Sequence, residues 1–421
     1  MKKIYLSVMM SVIAVGVFAA ESIDWRGPDR TGIFDETNLL TEWPAEGPEQ
    51  LWSITGIGEG YSSMCVTKDK IFLTALGSGK EASKEFLIAL DKSGKVLWRT
   101  EYGKATTLDY PPARTTPVLH EPNNCLYVLS GDGQLACVSS ENGKLVWQVD
   151  AAKLVTARPG SWGFSEAPLI VDDKVIFTAG GKSHSFAAFN IADGSVEWKS
   201  DPLDLNAAYV SPKLFEHNGK KQFVGHFANA MAGVDPADGK IMWFFEYKSV
   251  PQIFEGSRRG GESAIGGIHA VTPLYKDNML FMSTAYNLGS LMLRLNDNLD
   301  KVECAWVCKA LDIHHGGAVL LGDFIFGMNN NGNLLKIDWA TGEEKARMRT
   351  GKGVTISADG MLYCFNEQGL LQLIDPETMT KKGEVKIKVG TLQFWAHPVI
   401  SDGVIYVRHG DALAAFDIRQ K

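Results

Sequence analysis

The sequence predicts an all-β fold: an eight-bladed β-propeller of four-stranded blades, the last blade closed by an N-terminal strand, with a seven-bladed ring as the alternative. Three observations predict it. A unit of 45 to 51 residues recurs along the chain, each unit is made of short alternating strands, and the final unit lacks a strand that the N-terminus supplies.

The recurring unit is clearest at its last strand. "NGKLVWQVD" at 142 returns as "SGKVLWRTE" at 93, "DGSVEWKSD" at 193 and "DGKIMWFFE" at 238. Each is a tight turn at Gly followed by an alternating strand, with Trp four residues after the glycine. Trp98, Trp147, Trp198 and Trp243 are 49, 51 and 45 residues apart, and Trp306 is a looser fifth after an insertion. The sixth unit, "TGEEKARMR", keeps the turn but carries Ala346 at the Trp position.

Upstream of each turn lie three more runs. "TTPVLHEPNNCLYVLSGDGQLACVSSENG" alternates apolar and polar residues in segments broken by Pro, Asn, Asp and Gly, and "EAPLIVDDKVIFTAGGKSHSFAAFNIADG" repeats the plan. The last unit stops at "AAFDIRQK" without a Trp strand. "PEQLWSIT", with Trp52, is the strand that closes it and removes the exposed sheet edges. Units beginning near 61, 115, 166, 210, 271, 317, 353 and 397 bring the count to eight.

The ends and the composition set the context. Lys2 and Lys3 precede an apolar run from Ile4 to Val17, and Val17 and Ala19 fit a small-x-small cleavage pattern. A signal peptide is therefore expected over 1–19, an N-terminal extension over 20–48 and the propeller over 49–421. The run is shorter than the roughly 20 residues a spanning helix needs, and no cysteine follows the cut to carry a lipid. The expectation is an exported bacterial protein, periplasmic or secreted, without a transmembrane segment, and a monomer. A net charge of −7 with no basic stripe argues against nucleic acid as a partner. Six cysteines in 421 residues do not make a disulfide scaffold. Cys304 and Cys308 would lie roughly 13 Å apart on one strand, too far to bond each other.

The repeat resembles the PQQ-like, quinoprotein-type β-propellers, whose blades carry this Gly-x-x-x-Trp strand, over residues 49 to 421. In blade count and soluble size it is also similar to the BamB propellers of outer-membrane barrel assembly. "DWRGPDRTG" at 24, "WGFSEAP" at 162, "HHGG" at 314 and "WAHPV" at 395 look like a secreted subgroup of PQQ-binding-like repeat proteins. The resemblance implies a fold rather than an activity. It offers a PQQ-dependent, calcium-assisted alcohol dehydrogenase as the alternative function. No two cysteines here are adjacent, however, whereas such dehydrogenases carry a Cys-Cys pair beneath the cofactor. No catalytic residue is carried over, and the expectation is a non-catalytic binding or scaffold module without a cofactor.

Binding would use the channel mouth, where the segment entering each innermost strand lies. Alignment of the units places Tyr61, Arg114, Glu166, Tyr209, His269, His315, Lys352 and Trp395 there. Arg114, His315 and Lys352 make the mouth locally positive on an acidic protein. That combination suits an envelope protein, an acidic peptide or an anionic small ligand. The tandem His314-His315 invites a metal, but adjacent strand residues face opposite ways, so one imidazole should face the channel and the other a neighbouring blade. His315 is expected in the channel. HxH, HExxH and CxxC spacings are missing, and no metal is expected. No G-x-S-x-G supports a serine nucleophile. Residues 248–270, with Arg258-Arg259 and Gly260-Gly261, read as a long loop over one face, and Trp25 as a packing anchor.

Overall fold

In the computed structural model, which describes residues 22–254, 270–286 and 288–421, each repeat is a four-stranded antiparallel sheet. Eight such sheets follow one another, so the ring has eight blades rather than seven. Blade 1 is built from Cys65–Thr67, Lys70–Leu76, Lys84–Asp91 and Val96–Lys104, counted from the axis outward. Blade 8 takes Val399–Ser401, Val404–His409 and Ala412–Asp417 from the C-terminus. Its fourth strand is Glu49–Ile54, antiparallel to Ala412–Asp417 with Glu49 opposite Asp417 and Ile54 opposite Leu413. The N-terminal strand thus closes the ring. All six cysteines are free thiols.

The Gly-x-x-x-Trp repeat has a physical reason. Gly143, Gly194, Gly239 and Gly342 all have φ between 73° and 77°, a left-handed conformation that glycine tolerates best. An added Cβ at each would lie 2.4 to 2.7 Å from the indole of the preceding blade, respectively Trp98, Trp147, Trp198 and Trp306. The indole N–H of Trp147 donates to the Ile191 carbonyl at 3.1 Å, that of Trp198 to Pro236 at 3.1 Å and that of Trp306 to Trp339 at 3.1 Å. Trp52 repeats the contact across the closure, on Gly94 and the Lys92 carbonyl at 2.8 Å. The motif is therefore an inter-blade latch. Trp243 is the exception: blade 5 has Leu299 in place of the turn glycine, and the indole donates to Gln222 within its own blade at 2.7 Å.

The apolar core is correspondingly divided among the blade interfaces. One cluster, around Phe72, Leu87, Leu126 and Val138, lies between blades 1 and 2. The largest joins blades 7, 8 and 1 and takes in Phe34, Leu39 and Trp43 of the extension. These interfaces supply the burial that one central core could not provide at this size.

The extension also enters the channel. Ser22–Ile23 pairs antiparallel with the innermost strand of blade 1, and Ile33–Phe34 pairs parallel with Gly353–Ala358 of blade 7. Between them the chain rises along the axis and returns, with Arg26 and Arg30 both buried. Arg30 donates to the carbonyls of Ala167 at 3.2 Å, Pro168 at 2.7 Å and Pro212 at 2.7 Å. Arg26 donates to Ala318 at 2.6 Å. Among the described residues, the channel is plugged from the face opposite the predicted mouth.

Candidate functional site

The plug turns the mouth into a cup. Its floor is Trp25, whose ring centroid lies 4.4 Å from that of His397, and Arg26, whose Nη1 lies 3.4 Å from His397 Nδ1. His397 Nε2 in turn meets the His315 carbonyl at 3.0 Å. Burial beside Arg26 pushes the His397 pKa well down, so the ring is neutral. Trp25 packs on His397, and its indole N–H donates to Thr272 at 3.2 Å.

Aromatic rings line the wall. Tyr61 of blade 1 lies 5.0 Å from Trp395 of blade 8, and Trp395 lies 5.5 Å from Tyr110 of blade 2. Tyr110 continues to Trp162 of blade 3 at 6.4 Å, and Trp162 to Tyr209 of blade 4 at 5.1 Å. In the other direction Trp395 lies 5.8 Å from His315, His315 lies 5.2 Å from His314, and His314 lies 5.2 Å from Tyr286 of blade 5. The rings form one arc. Arg114 sits inside it and donates to the Trp162 carbonyl, and Tyr61 donates to the side chain of Gln393.

The charges are organised by one carboxylate. Oε1 of Glu367, in the hairpin after the second strand of blade 7, accepts from His315 Nε2 at 2.7 Å and Trp395 Nε1 at 3.1 Å. Lys352 Nζ is 3.2 Å from the same oxygen. Although partial burial opposes it, hydrogen bonds from His315 and the charge of Lys352 pull the Glu367 pKa down to about 2. Burial lowers the His315 pKa despite that partner. The site therefore sets an ionised carboxylate between His315 and Lys352.

Tyr61, Arg114, Tyr209, His315, Lys352 and Trp395 all lie along this rim. His269, with most of the 248–270 loop and the 1–19 signal segment, lies outside the described residues. Glu166 is displaced: it is buried beneath the rim, where Oε1 accepts the Thr178 amide at 2.6 Å. Desolvation raises its pKa to about 7. The alternation argument for the histidine pair also needs correcting. Residues 314–316 form a bend, and the innermost strand starts only at Val319, so the rings are not forced to opposite faces. His315 does face the cup, but His314 stands beside it. Sequence reasoning missed Glu367, Tyr286 and Tyr110, and held Arg26 and Arg30 only within the motif "DWRGPDRTG". Trp162 was visible only as part of a motif.

An eight-bladed ring held by Gly-x-x-x-Trp latches defines a PQQ-like β-propeller. The chain belongs to the family described as outer membrane protein assembly factor BamB, which matches residues 83–347. It is 23% identical over 378 residues to the outer membrane protein assembly factor BamB of Shewanella oneidensis, covering 86% of each chain. Among solved structures it is similar to BamB from Moraxella catarrhalis, with a TM-score of 0.64 and 13% identity, covering 88% of this chain and 99% of that one. It is also similar to a europium-containing methanol dehydrogenase, with a TM-score of 0.54 and 10% identity, covering 93% and 90%. At such identities the structural likenesses show the fold alone. No helix among the described residues is long and apolar enough to cross a membrane.

Proposed function

We propose that this protein is an exported, non-catalytic propeller that binds an envelope protein or peptide through the aromatic cup, in the service of outer-membrane protein assembly. Membership of the BamB family supports the setting. The observation that carries the binding role is the cup itself, an arc of rings from seven blades over a floor supplied by the plug. Tyr and Trp offer large contact area with little conformational entropy to lose, which is the composition of a recognition surface. Tyr110 is 43% exposed and open to a partner.

Charge favours an acidic segment on that partner. Lys352 and His315 already share Glu367, and Arg114 makes its hydrogen bond to a carbonyl, so the charge the cup offers is cationic. The quinone-and-calcium reading is less well supported. Beneath the Trp395 wall the floor presents the Arg26 guanidinium, which repels a calcium ion. No step is derived through that cofactor.

A photo-activatable residue at Tyr110 tests the proposal in the native envelope. Cross-linking to a component of the outer-membrane assembly machinery, reduced when Trp162 and Trp395 are both changed to Ala, is expected. Cross-linking at an equal rate from the opposite face, for example from Lys68, and indifference to the two tryptophans would overturn it. Binding of PQQ with calcium and dye-linked alcohol oxidation would replace it with the enzymatic reading.

A further inference from the structure

We propose that His314, His315 and Glu367 form a binding site for a zinc-class divalent cation at the wall of the cup. One donor atom from each lies within 4.8 Å of the donors of the other two. In a tetrahedral site with bonds of about 2.0–2.1 Å, ligand atoms stand roughly 3.3 Å apart. The three groups therefore need only side-chain adjustment to close on an ion, with no change in the blades.

The chemistry of the donors fits. Two imidazoles and a carboxylate are a ligand set that zinc accepts with a fourth position kept for water or a ligand. The His315–Glu367 hydrogen bond of 2.7 Å marks where an ion would replace a proton. In the tautomer with its hydrogen on Nδ1, Nε2 is free to bind. His315 Nδ1 is buried and has no hydrogen-bond partner among the described residues, so neither tautomer is fixed from that side. All three bonds to Glu367 end on Oε1, so Oε2 is not engaged by them. With His314 binding through Nδ1, Tyr286 Oη, 3.1 Å from His314 Nε2, would supply the outer hydrogen bond that orients metal-binding histidines.

One group opposes the ion. Lys352 Nζ lies 3.2 Å from Glu367, and its charge repels a dication there. The site should consequently be tuned to moderate affinity, and removing the ammonium should tighten it. This feature separates a built site from incidental surface histidines, which Lys352 would not affect.

The test is calorimetric titration of the tag-free chain with zinc chloride, alongside His315→Ala, Glu367→Ala and Lys352→Met. One ion per chain is expected. The first two variants should weaken binding by at least about tenfold, the scale seen when even an outer partner of a metal site is lost, and the third should tighten it. If His315→Ala does not fold, cobalt decides: intense visible bands of a four- or five-coordinate ion are expected in the wild-type chain. No saturable binding, a cobalt spectrum that stays that of the hydrated ion, or affinity unchanged in both Ala variants would overturn the site.

Discussion

Trp43 of the extension packs over Gly383 of blade 7, so closely that a Cβ at residue 383 would lie 2.4 Å from the Trp43 Cβ. The backbone amide of Trp43 donates to the Lys382 carbonyl at 2.9 Å. Gly383 pairs with Leu373 just before the register shift, the same ladder position that Trp243 holds opposite Gly233 in blade 4. The extension therefore supplies, from elsewhere in the chain, the indole that blade 7 lacks. Trp43→Ala should cost about 3–5 kcal/mol, the range for deleting a buried aromatic. Urea unfolding of the variant should show an earlier midpoint, and protease should cut the extension sooner.

The latches within the ring make a second prediction. At Gly194 an added methyl meets the Trp147 ring at 2.7 Å while φ is 73°, so crowding and a left-handed backbone both oppose it. Gly194→Ala should destabilise by roughly 1–3 kcal/mol. In a double-mutant cycle with Trp147→Ala the two losses should not add, because the second substitution removes the group the first one hits. Additive losses in denaturant melts would dismiss the latch.

The plug makes a third. Arg30 satisfies three carbonyls of blades 3 and 4 in a buried setting. Arg30→Ala strands all three. At about 1–3 kcal/mol for each buried group left unmade, the loss should exceed that of any single surface substitution, unless water replaces the guanidinium. The measurement is the thermal midpoint, with tryptophan fluorescence of the cup as a second probe: Trp25 shifts with the floor if the plug loosens.

The ring was legible in the sequence because its signal is periodic and local. A turn glycine and a Trp four residues later recur without long-range information, and Trp52 without its blade marked the closure. The mouth residues were legible in part, since each unit enters its innermost strand at the same rim. Glu367 was not, because it lies in a hairpin away from the strand entries and acts through His315 of blade 6, Trp395 of blade 8 and Lys352 of its own blade. Arg26 and Arg30 were hidden for the opposite reason. They sit in a non-repeating segment, and burying an arginine goes against the composition rule unless its carbonyl partners are known. The histidine bend failed on a local point: Gly316 and Gly317 delay the strand, and the alternation on which the reading rested begins only at Val319.

Glu166 carries the last prediction, on pH. Its carboxyl is buried, and desolvation raises its pKa from the ordinary 4.5 to about 7 against the pull of the Thr178 amide and Arg30. The folded state then holds a proton that the unfolded chain has released over the window from 4.5 to about 7. Stability linked to this group is therefore greatest below pH 4.5 and falls as pH rises through that window, by on the order of 3 kcal/mol. Glu166→Gln keeps the oxygen that accepts the Thr178 amide but has no proton to lose. Relative to the wild type it should gain stability steadily between pH 5 and pH 7.5, read as the difference between their denaturation midpoints. A difference that stays constant across those pH values would mean that the carboxyl is ionised in the folded protein throughout, with Arg30 outweighing its burial.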